Sequence, residues 1–419
     1  MAFASSAQAG ITIPAGDWTL DVGGVVNAYY TSTRVSGDFK DNNTADDGAV
    51  LGGTNASGRH NEANITTGLL PNYLAVSGKS RQNDLDVAFT ISINPGASTT
   101  NSGRQSAQQE NRQAFLTIGD ASWGSVKLGK DLGIYAGDAI LNDMTLLGVG
   151  SGAGFLAGNT TTLGRIGTGF IYADWKSQVA YTSPNWNGFQ FTAGVTQAWN
   201  AIAANATTDN SLGSDGQSLG ADLYGTFNSA VSSGRGGNSP AFEAKASYAW
   251  TGDVAGKVWA SAMTQKVRDL VGADITGTKD SRATGFDVGA HIDVASFGLT
   301  GYYADGSGMG TTLQLRDGFD SAGKKRDSKD WYVQATYALP TTTKLGLSYG
   351  RSKLDGTSTD GFDKYQNSMW TVGAYHPITK SVNLVAEYSD VKTKIDDFGL
   401  NGNVDGKSKT VSLGAILFF

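Results

Sequence analysis

Strict alternation of apolar and polar residues, repeated from one end of the chain to the other, constrains this sequence more than any other feature. Over 84–93, Leu85, Val87, Phe89, Ile91 and Ile93 fall on one face, with Asp84, Asp86, Ala88, Thr90 and Ser92 on the other. Phe189, Phe191, Ala193 and Val195 likewise oppose Gln190, Thr192, Gly194 and Thr196. The same period recurs over 331–339 and 410–419. Successive side chains of a strand point to opposite faces, so each segment carries one apolar and one wet face.

Sixteen such segments begin near Trp18, Asn72, Asp84, Arg112, Gly124, Asp174, Gly188, Ala241, Gly256, Thr284, Gly298, Asp330, Lys344, Asn367, Ser381 and Lys407. Their connections alternate between short turns, such as Gln82-Asn83 and 184–187, and long polar loops. The longest loops are expected near 33–71, 132–173 and 199–240. A meander with long and short ends on opposite rims is what a slab-crossing sheet produces. No linker divides it, so 10–419 reads as one barrel. Residues 1–9 end in Ala7-Gln-Ala9 and read as a signal-peptide remnant or a flexible N-terminus.

Composition removes the rivals. Glycine is 57 of 419 residues, about double the usual share of roughly 7%. Charged residues at 17% and apolar residues at 39% are both too few for an ordinary soluble core. No apolar run is long enough for a membrane helix. The absence of cysteine removes thiol chemistry, and only three histidines argue against a histidine metal site. A net charge of -6 without a basic run excludes nucleic acid as an expected partner. No cofactor is implied.

The faces themselves decide between a soluble and a membrane sheet. Sixteen strands closed into one barrel leave a lumen too wide for side chains to fill. The polar faces here are small (Gly, Ser, Thr, Ala) with scattered charge, as suits a water-filled lumen, and the apolar faces are modest, as suits lipid. Trp123, Trp186, Trp250 and Phe297 lie beside short turns, and Trp175, Trp199 and Trp331 at long-loop ends, the placement of two interfacial girdles. The expected fold is all-β: a 16-stranded antiparallel transmembrane β-barrel.

The chain ends Leu417-Phe-Phe419, which resembles the assembly signal of Gram-negative outer-membrane barrels. With the strand count, the whole chain resembles the general (trimeric) outer-membrane porin family. The match is most specific over 112–147, in Arg112-Gln-Ala-Phe, the turn at Ala121-Ser-Trp-Gly124, and Gly124-Ser-Val-Lys-Leu-Gly-Lys130. It continues in Gly133, Asp138-Ala139 and Asn142-Asp143-Met144. The resemblance implies a third loop folded into the lumen, with acids facing basic wall residues across a narrow gap. It implies passive diffusion of small hydrophilic solutes and ions, a homotrimer, and an outer-membrane setting with both termini periplasmic. Lipid and lipopolysaccharide would surround the barrel, and the barrel-assembly machinery would read Phe419.

Carried over residue by residue, Asp143 matches the family's acidic loop position, with Asp131 and Asp138 as weaker contributors. Arg112 and Lys130 match basic wall positions. Alternation independently gives Lys79, Lys127, Lys176 and Lys245 lumen parity, together with Asp84, Asp86, Glu243, Asp287 and Glu387. Simple parity would instead group Arg112 with Ala114, Leu116 and Ile118, on the lipid side. Leu147 stands where the family carries a second acid, and Tyr73 where it carries an arginine, so a weaker transverse field and a partly apolar gap are expected. The net charge and the lumen-parity acids lean slightly toward cations.

Other features invite chemistry but lack its context. Gly148-Val-Gly150-Ser-Gly-Ala153 imitates a dinucleotide fingerprint without the βαβ unit, and reads as a close-packing loop. Asp38, Asp41, Asp46 and Asp47 miss the EF-hand spacing and read as surface charge. His291 with Asp287 and Asp293 lacks a nucleophile, so no enzyme is expected. Two rival functions stay open: a substrate-selective channel of the same fold with a lumen binding site, and a plugged structural or adhesive barrel.

Overall fold

A computed structural model describes residues 10–38, 61–98, 109–151, 161–202, 227, 229–232, 239–397 and 402–419. Sixteen antiparallel strands form the wall. They are β1 Trp18–Gly37, β2 Tyr73–Gln82, β3 Leu85–Pro95, β4 Ala114–Asp120, β5 Gly124–Leu132, β6 Trp175–Thr182, β7 Phe189–Thr196 and β8 Ala241–Trp250. β9 Val254–Val271, β10 Lys279–Val294, β11 Phe297–Ser307, β12 Asp327–Ala338, β13 Lys344–Asp355, β14 Lys364–Pro377, β15 Val382–Asp396 and β16 Val404–Phe418 complete it. Each pairs with the next, and β16 returns to β1 from Val25↔Phe418 to Gly37↔Gly406. Closure leaves no long open edge, the condition for a sheet to cross lipid.

Side chains obey the alternation. Val333, Leu347, Val372 and Leu413 are exposed on the outside, while Gln334, Ser348, Thr371 and Ser412 are buried on the inside. Trp123, Trp186 and Phe297 are exposed at the short-turn rim. At the long-loop end the outer ring is built by Tyr303, Trp331, Tyr349, Trp370 and Tyr388, with Trp331 against Tyr349 and Trp370 against Tyr388. Trp199 does not join it; the Lys176 ammonium lies 5.8 Å from its ring, inside the barrel.

Several strands outrun the sequence expectation at the long-loop end. β10 starts at Lys279 and not near Thr284, and β14 at Lys364 and not near Asn367. Beyond the lipid both faces are wet, so the ladder continues while the apolar alternation that marks it stops. The second strand is interrupted, with Asn27 of β1 bonding Gly68, Leu70 and Asn72 across the break. Asn61–Thr66 pairs with Tyr29–Arg34, β2 pairs with Thr19–Val25, and 67–72 turns inward between them. The first long connection is therefore shorter than 33–71.

The sixth long loop, 308–326, also folds inward, a feature the sequence reading missed. Leu315, Phe319 and Arg326 are fully buried, and Gln314 donates to the carbonyls of Tyr172 and Ala173 at 3.1 and 3.3 Å. Residues 1–9, 152 and 153, and Asp41, Asp46 and Asp47 lie outside the described residues. Asp38 accepts from the Asp405 amide at 2.8 Å.

The two faces should respond differently to charge. Val333→Lys, mid-strand on the outside, should cost about 2–4 kcal/mol in denaturant titrations of vesicle-inserted protein. Ala88→Lys, on the inside of β3, should cost less than about 1 kcal/mol. Equal costs would refute the assignment of faces.

Candidate functional site

An irregular segment inside a barrel has backbone groups that no ladder satisfies, and buried polar groups need partners. The third loop, 133–174, finds them on the inner wall. The Tyr135 amide donates to Glu243 at 2.8 Å, and the Ala136 amide to Ser261 and Asp287, both at 3.2 Å. Met144 N–H donates to Gln334 at 2.7 Å. The Val149 and Gly150 amides both donate to Glu387, at 2.7 and 3.0 Å. In return Tyr29, Tyr332 and Gln334 donate to the carbonyls of Leu147, Ala139 and Asn142. The loop is thus stitched to β8, β9, β10, β12, β15 and β1. Gly148 belongs to this contact, because a Cβ there would lie 2.1 Å from a Glu387 carboxylate oxygen.

Asp143 sits at the N-cap of a single turn of 3₁₀ helix, Met144–Leu147. Its carboxylate accepts from the Thr145 amide at 3.1 Å and the Thr145 hydroxyl at 2.5 Å, the usual N-cap role. The side chain is 0% exposed and lies 3.8 Å from Arg165 Nε, in the returning half of the same loop. Burial raises its pKa, against the pull of Arg165 and Thr145. Arg165 donates to the Met369 carbonyl at 3.1 Å and to the Ser348 hydroxyl. Burial lowers the Arg165 pKa while Asp143 opposes. Arg165 was not a sequence candidate, although it is the sole charge between Met144 and Ala173.

Asp138 opens the short helix Gly137–Leu141 and bridges Lys245 of β8, at 2.9 Å, and Lys257 of β9. Burial alone would raise its carboxyl pKa, but the two ammonium groups overcome it and hold the value below the ordinary one. Asp131 pairs with Lys127 and accepts from Gln113 at 3.0 Å. Lys176 is fully buried between Glu243 and Gln314, each at 2.6 Å. Arg112 bonds Glu110 at 2.7 Å and lies over the Trp175 ring at 5.8 Å. It stands outside any strand, between Gln109–Glu110 and β4, so strand parity does not apply to it. Lys130 shares the parity of Val126 and the exposed Leu128.

These pairings join Asp131 with Lys127, Asp138 with Lys245, and Lys176 with Glu243; they do not join Asp143 with Arg112, Lys127 or Lys130. Leu147 and Tyr73, the positions where the resemblance led us to expect a charge, share one apolar cluster. Leu147 packs among Val25, Tyr29, Tyr375 and Val385, and Tyr73 packs against the same group. Leu141, half exposed, is an apolar side chain that the loop turns to water. His291 bonds Thr300 and Asp293, at 2.9 and 3.1 Å, on the barrel wall. Among the described residues no group of acids and histidines is placed to hold a metal ion.

The wall of β1–β5 near the short-turn rim is left uncovered. Lys79, Ala88, Thr117 and Lys127 fall in one hydrogen-bonded row, so the two lysines stand roughly 14 Å apart across three strand spacings. Lys79, Arg81, Asp86, Thr117 and Asp120 line an open cavity of about 560 Å³. Arg81 binds Asp86 and Asp120 at 2.9 and 3.0 Å, whereas Lys79 has no ion pair among the described residues.

Residues 1–396 match the family described as Gram-negative porin. The chain belongs to that family. This porin is accordingly an outer-membrane, water-filled channel for passive diffusion. The solved structures it resembles share the fold at low identity. The outer-membrane channel DcaP of Acinetobacter baumannii superposes with a TM-score of 0.63 at 18% identity, over 98% of this chain and 100% of that one. An anion-selective porin from Comamonas acidovorans gives 0.59 at 13%, over 96% and 100%. Salmonella typhi OmpF, in complex with daunomycin, gives 0.52 at 16%, over 96% and 100%. No curated protein matches the sequence.

Two outcomes follow for the loop. Leu147→Glu places a carboxylate in the apolar cluster and should loosen the loop; adding Tyr73→Arg should recover about 0.5–3 kcal/mol of that loss, read by hydrogen exchange. Strict additivity would show that the positions are uncoupled. Because the Asp138 pKa is depressed in the folded porin, its anchor is complete above the ordinary carboxylate pKa of about 3.9 and is lost only as pH falls through the lower folded value. Single-channel flicker should therefore rise only below about pH 4 in the native porin, and Asp138→Asn should flicker at every pH. Flicker that grows between pH 7 and 5 in the native porin alone would contradict this anchor.

Proposed function

We propose that the porin is a weakly selective, trimeric diffusion channel for small hydrophilic solutes, with its open path between the third loop and the wall of β1–β5. The observation that carries this reading is the stitching of the loop to β8–β15, to Tyr29 of β1 and to the 67–72 segment, which leaves the cavity beside Lys79 near the short-turn rim uncovered. In this reading Asp143 acts on permeation by holding the loop, since Arg165 neutralises it locally. Asp131 with Lys127, and Asp138 with Lys245 and Lys257, supply the charge near the path. Arg112, over the Trp175 ring, and Lys176 both stand at the returning end of the loop, and Lys130 lies outside the path.

Asp138 serves two lysines and Lys79 has no ion pair among the described residues, but Arg81 serves both Asp86 and Asp120, and Asp17 also lines the cavity, so the charges along this path balance. Little preference between cations and anions follows, less than the slight cation lean drawn from net charge. Support for a trimer comes from fold relatives, one of them a Vibrio cholerae outer-membrane protein solved in a trimer form. The Phe418 amide donates to Ser381 at the 378–382 turn, so the C-terminus lies on the short-turn rim. We assign that rim to the periplasm, with Phe419 presented to the assembly machinery and lipopolysaccharide facing the opposite rim.

Planar bilayers should show large, long-lived conductance steps in threes, and Lys79→Gln should move the reversal potential toward cations. Asp143→Asn should move it less than Lys79→Gln does. A silent, correctly folded barrel would overturn the channel reading in favour of a plugged one. Liposome swelling that saturates with one solute class would favour a substrate-selective channel.

A further inference from the structure

The long-loop mouth of the barrel is bridged from within. Val231–Ser232 of the fourth long loop pairs with Leu270 and Val271 at the end of β9. Phe227, only four residues from Val231, packs on Phe362 of the seventh long loop, 356–363, with ring centroids 4.3 Å apart. It also meets Tyr365 of β14 edge-on at 5.0 Å. Along the rim, the four strand spacings from β9 to β13 take up roughly 20–25 Å. Four residues reach at most about 14 Å. The segment therefore cuts inside the ring, and the seventh loop leans in to meet it.

Beneath this bridge the sixth loop fills the lumen. Leu315 and Phe319 share one apolar cluster with Ala201 and Ala230 of the fourth loop and with Tyr135 and Ile171 of the third. Backbone bonds join the layers. Asp317 N–H donates to the Ile202 carbonyl at 2.9 Å, and Ala230 N–H to the Phe319 carbonyl at 3.2 Å. On this side the space above the third loop holds packed side chains in place of water.

Arg326, one residue before β12, closes the assembly. Its side chain is fully buried. Nε and Nη2 donate to the two carboxylate oxygens of Asp360, at 2.8 and 2.5 Å. Nη1 donates to the Ser229 hydroxyl at 2.7 Å and to the carbonyls of Asp317 and Phe319 at 2.9 and 3.2 Å. The guanidinium lies 5.8 Å from the Phe227 ring and 5.4 Å from that of Phe362. One planar fork thus joins three loops, a contact that the point charge of a lysine does not reproduce. Beside it the Thr357 hydroxyl donates to Asp320 at 2.5 Å, and Lys324 to the Ser358 hydroxyl at 2.9 Å. Buried and bonded within the protein, Arg326 does not meet a solute; it decides where the loops stand.

We infer that the fourth, sixth and seventh loops form a second size filter at the long-loop mouth, in series with the third loop, and that Arg326 is the positioning residue that holds it narrow. The inference rests on the channel reading above. A solute passes beside this cap, on the side of β1–β5, before it reaches the gap at the third loop. Releasing the cap widens the passage and leaves the charges of the third loop as they are.

The test is the charge-neutral variant Arg326→Gln/Asp360→Asn of the full-length porin. Planar bilayers should give a conductance about 1.5-fold or more above the native value, and liposome swelling should admit a larger oligosaccharide than the native porin passes. The reversal potential should stay in place, because the ion pair is removed whole. The amides of Ala230, Asp317 and Arg326 should exchange faster while those of Met144 and Val149 stay protected, which locates the change in the cap. The chain has no cysteine, so Phe227→Cys and Phe362→Cys can be joined selectively by a short bis-maleimide. That link should return the double variant to native conductance and native size limit. Phe227→Ala keeps both charges and should widen the mouth to a smaller degree; it carries the same test if the double variant does not fold. Native conductance and size limit in variants whose cap amides exchange faster would overturn the inference, and so would cap amides that stay protected without the ion pair. A change confined to the reversal potential would reveal an electrostatic role and overturn it too. Each of these results leaves the channel reading standing, whereas a silent native barrel ends both.

Discussion

Closure of the sheet governs the rest of this molecule. In hydrocarbon every backbone amide and carbonyl must be paired within the protein, and a strand wall achieves this only as a ring. Sixteen strands make a ring whose interior no set of side chains can fill. A polar inner wall and a loop that enters the lumen both follow from that surplus space. Once inside, the loop has its own unpaired backbone, and the inward-facing Glu243, Gln334 and Glu387 satisfy it. Those partners lie on β8–β15, and Tyr29 of β1 and Leu69 bond the loop's carbonyls, so the wall of β2–β5 near the short-turn rim is what remains for the channel.

This arrangement changes the meaning of the loop's acids. A carboxylate aimed at an open gap sets a field across it, whereas one buried against a cation is electrically quiet and structurally decisive. Asp143 is of the second kind here, capping a helical turn and facing Arg165. Asp138 is intermediate, tying the loop to the wall through two lysines that keep a surplus of positive charge. Leu147 and Tyr73 bury apolar area between loop and wall.

Much of this was legible in the sequence. The period of two located all sixteen strands, because lipid on one side and water on the other impose alternation on every residue that crosses. The short turns and the inward third loop were also readable, the last through resemblance over 112–147. The strand ends were not, as at Lys279 and Lys364, because alternation fades where both faces are wet. The partner of Asp143 was hidden for a different reason: Arg165 lies 22 residues away, and nothing local signals that the loop doubles back. Likewise the inward fold of 308–326 depends on buried contacts such as Lys176 with Gln314, which join distant segments.

The central claim is that the third loop is fixed to the β8–β15 wall by hydrogen bonds to its backbone. Residue-resolved amide hydrogen exchange in the intact, detergent-solubilised porin tests this most directly. The account requires the amides of Tyr135, Met144, Val149 and Gly150 to be protected to a degree comparable with the barrel strands. Val149 and Gly150 should lose that protection selectively in Glu387→Ala. Rapid exchange at all four amides in the native porin, with the strands still protected, would show a loop free in the lumen and would contradict it.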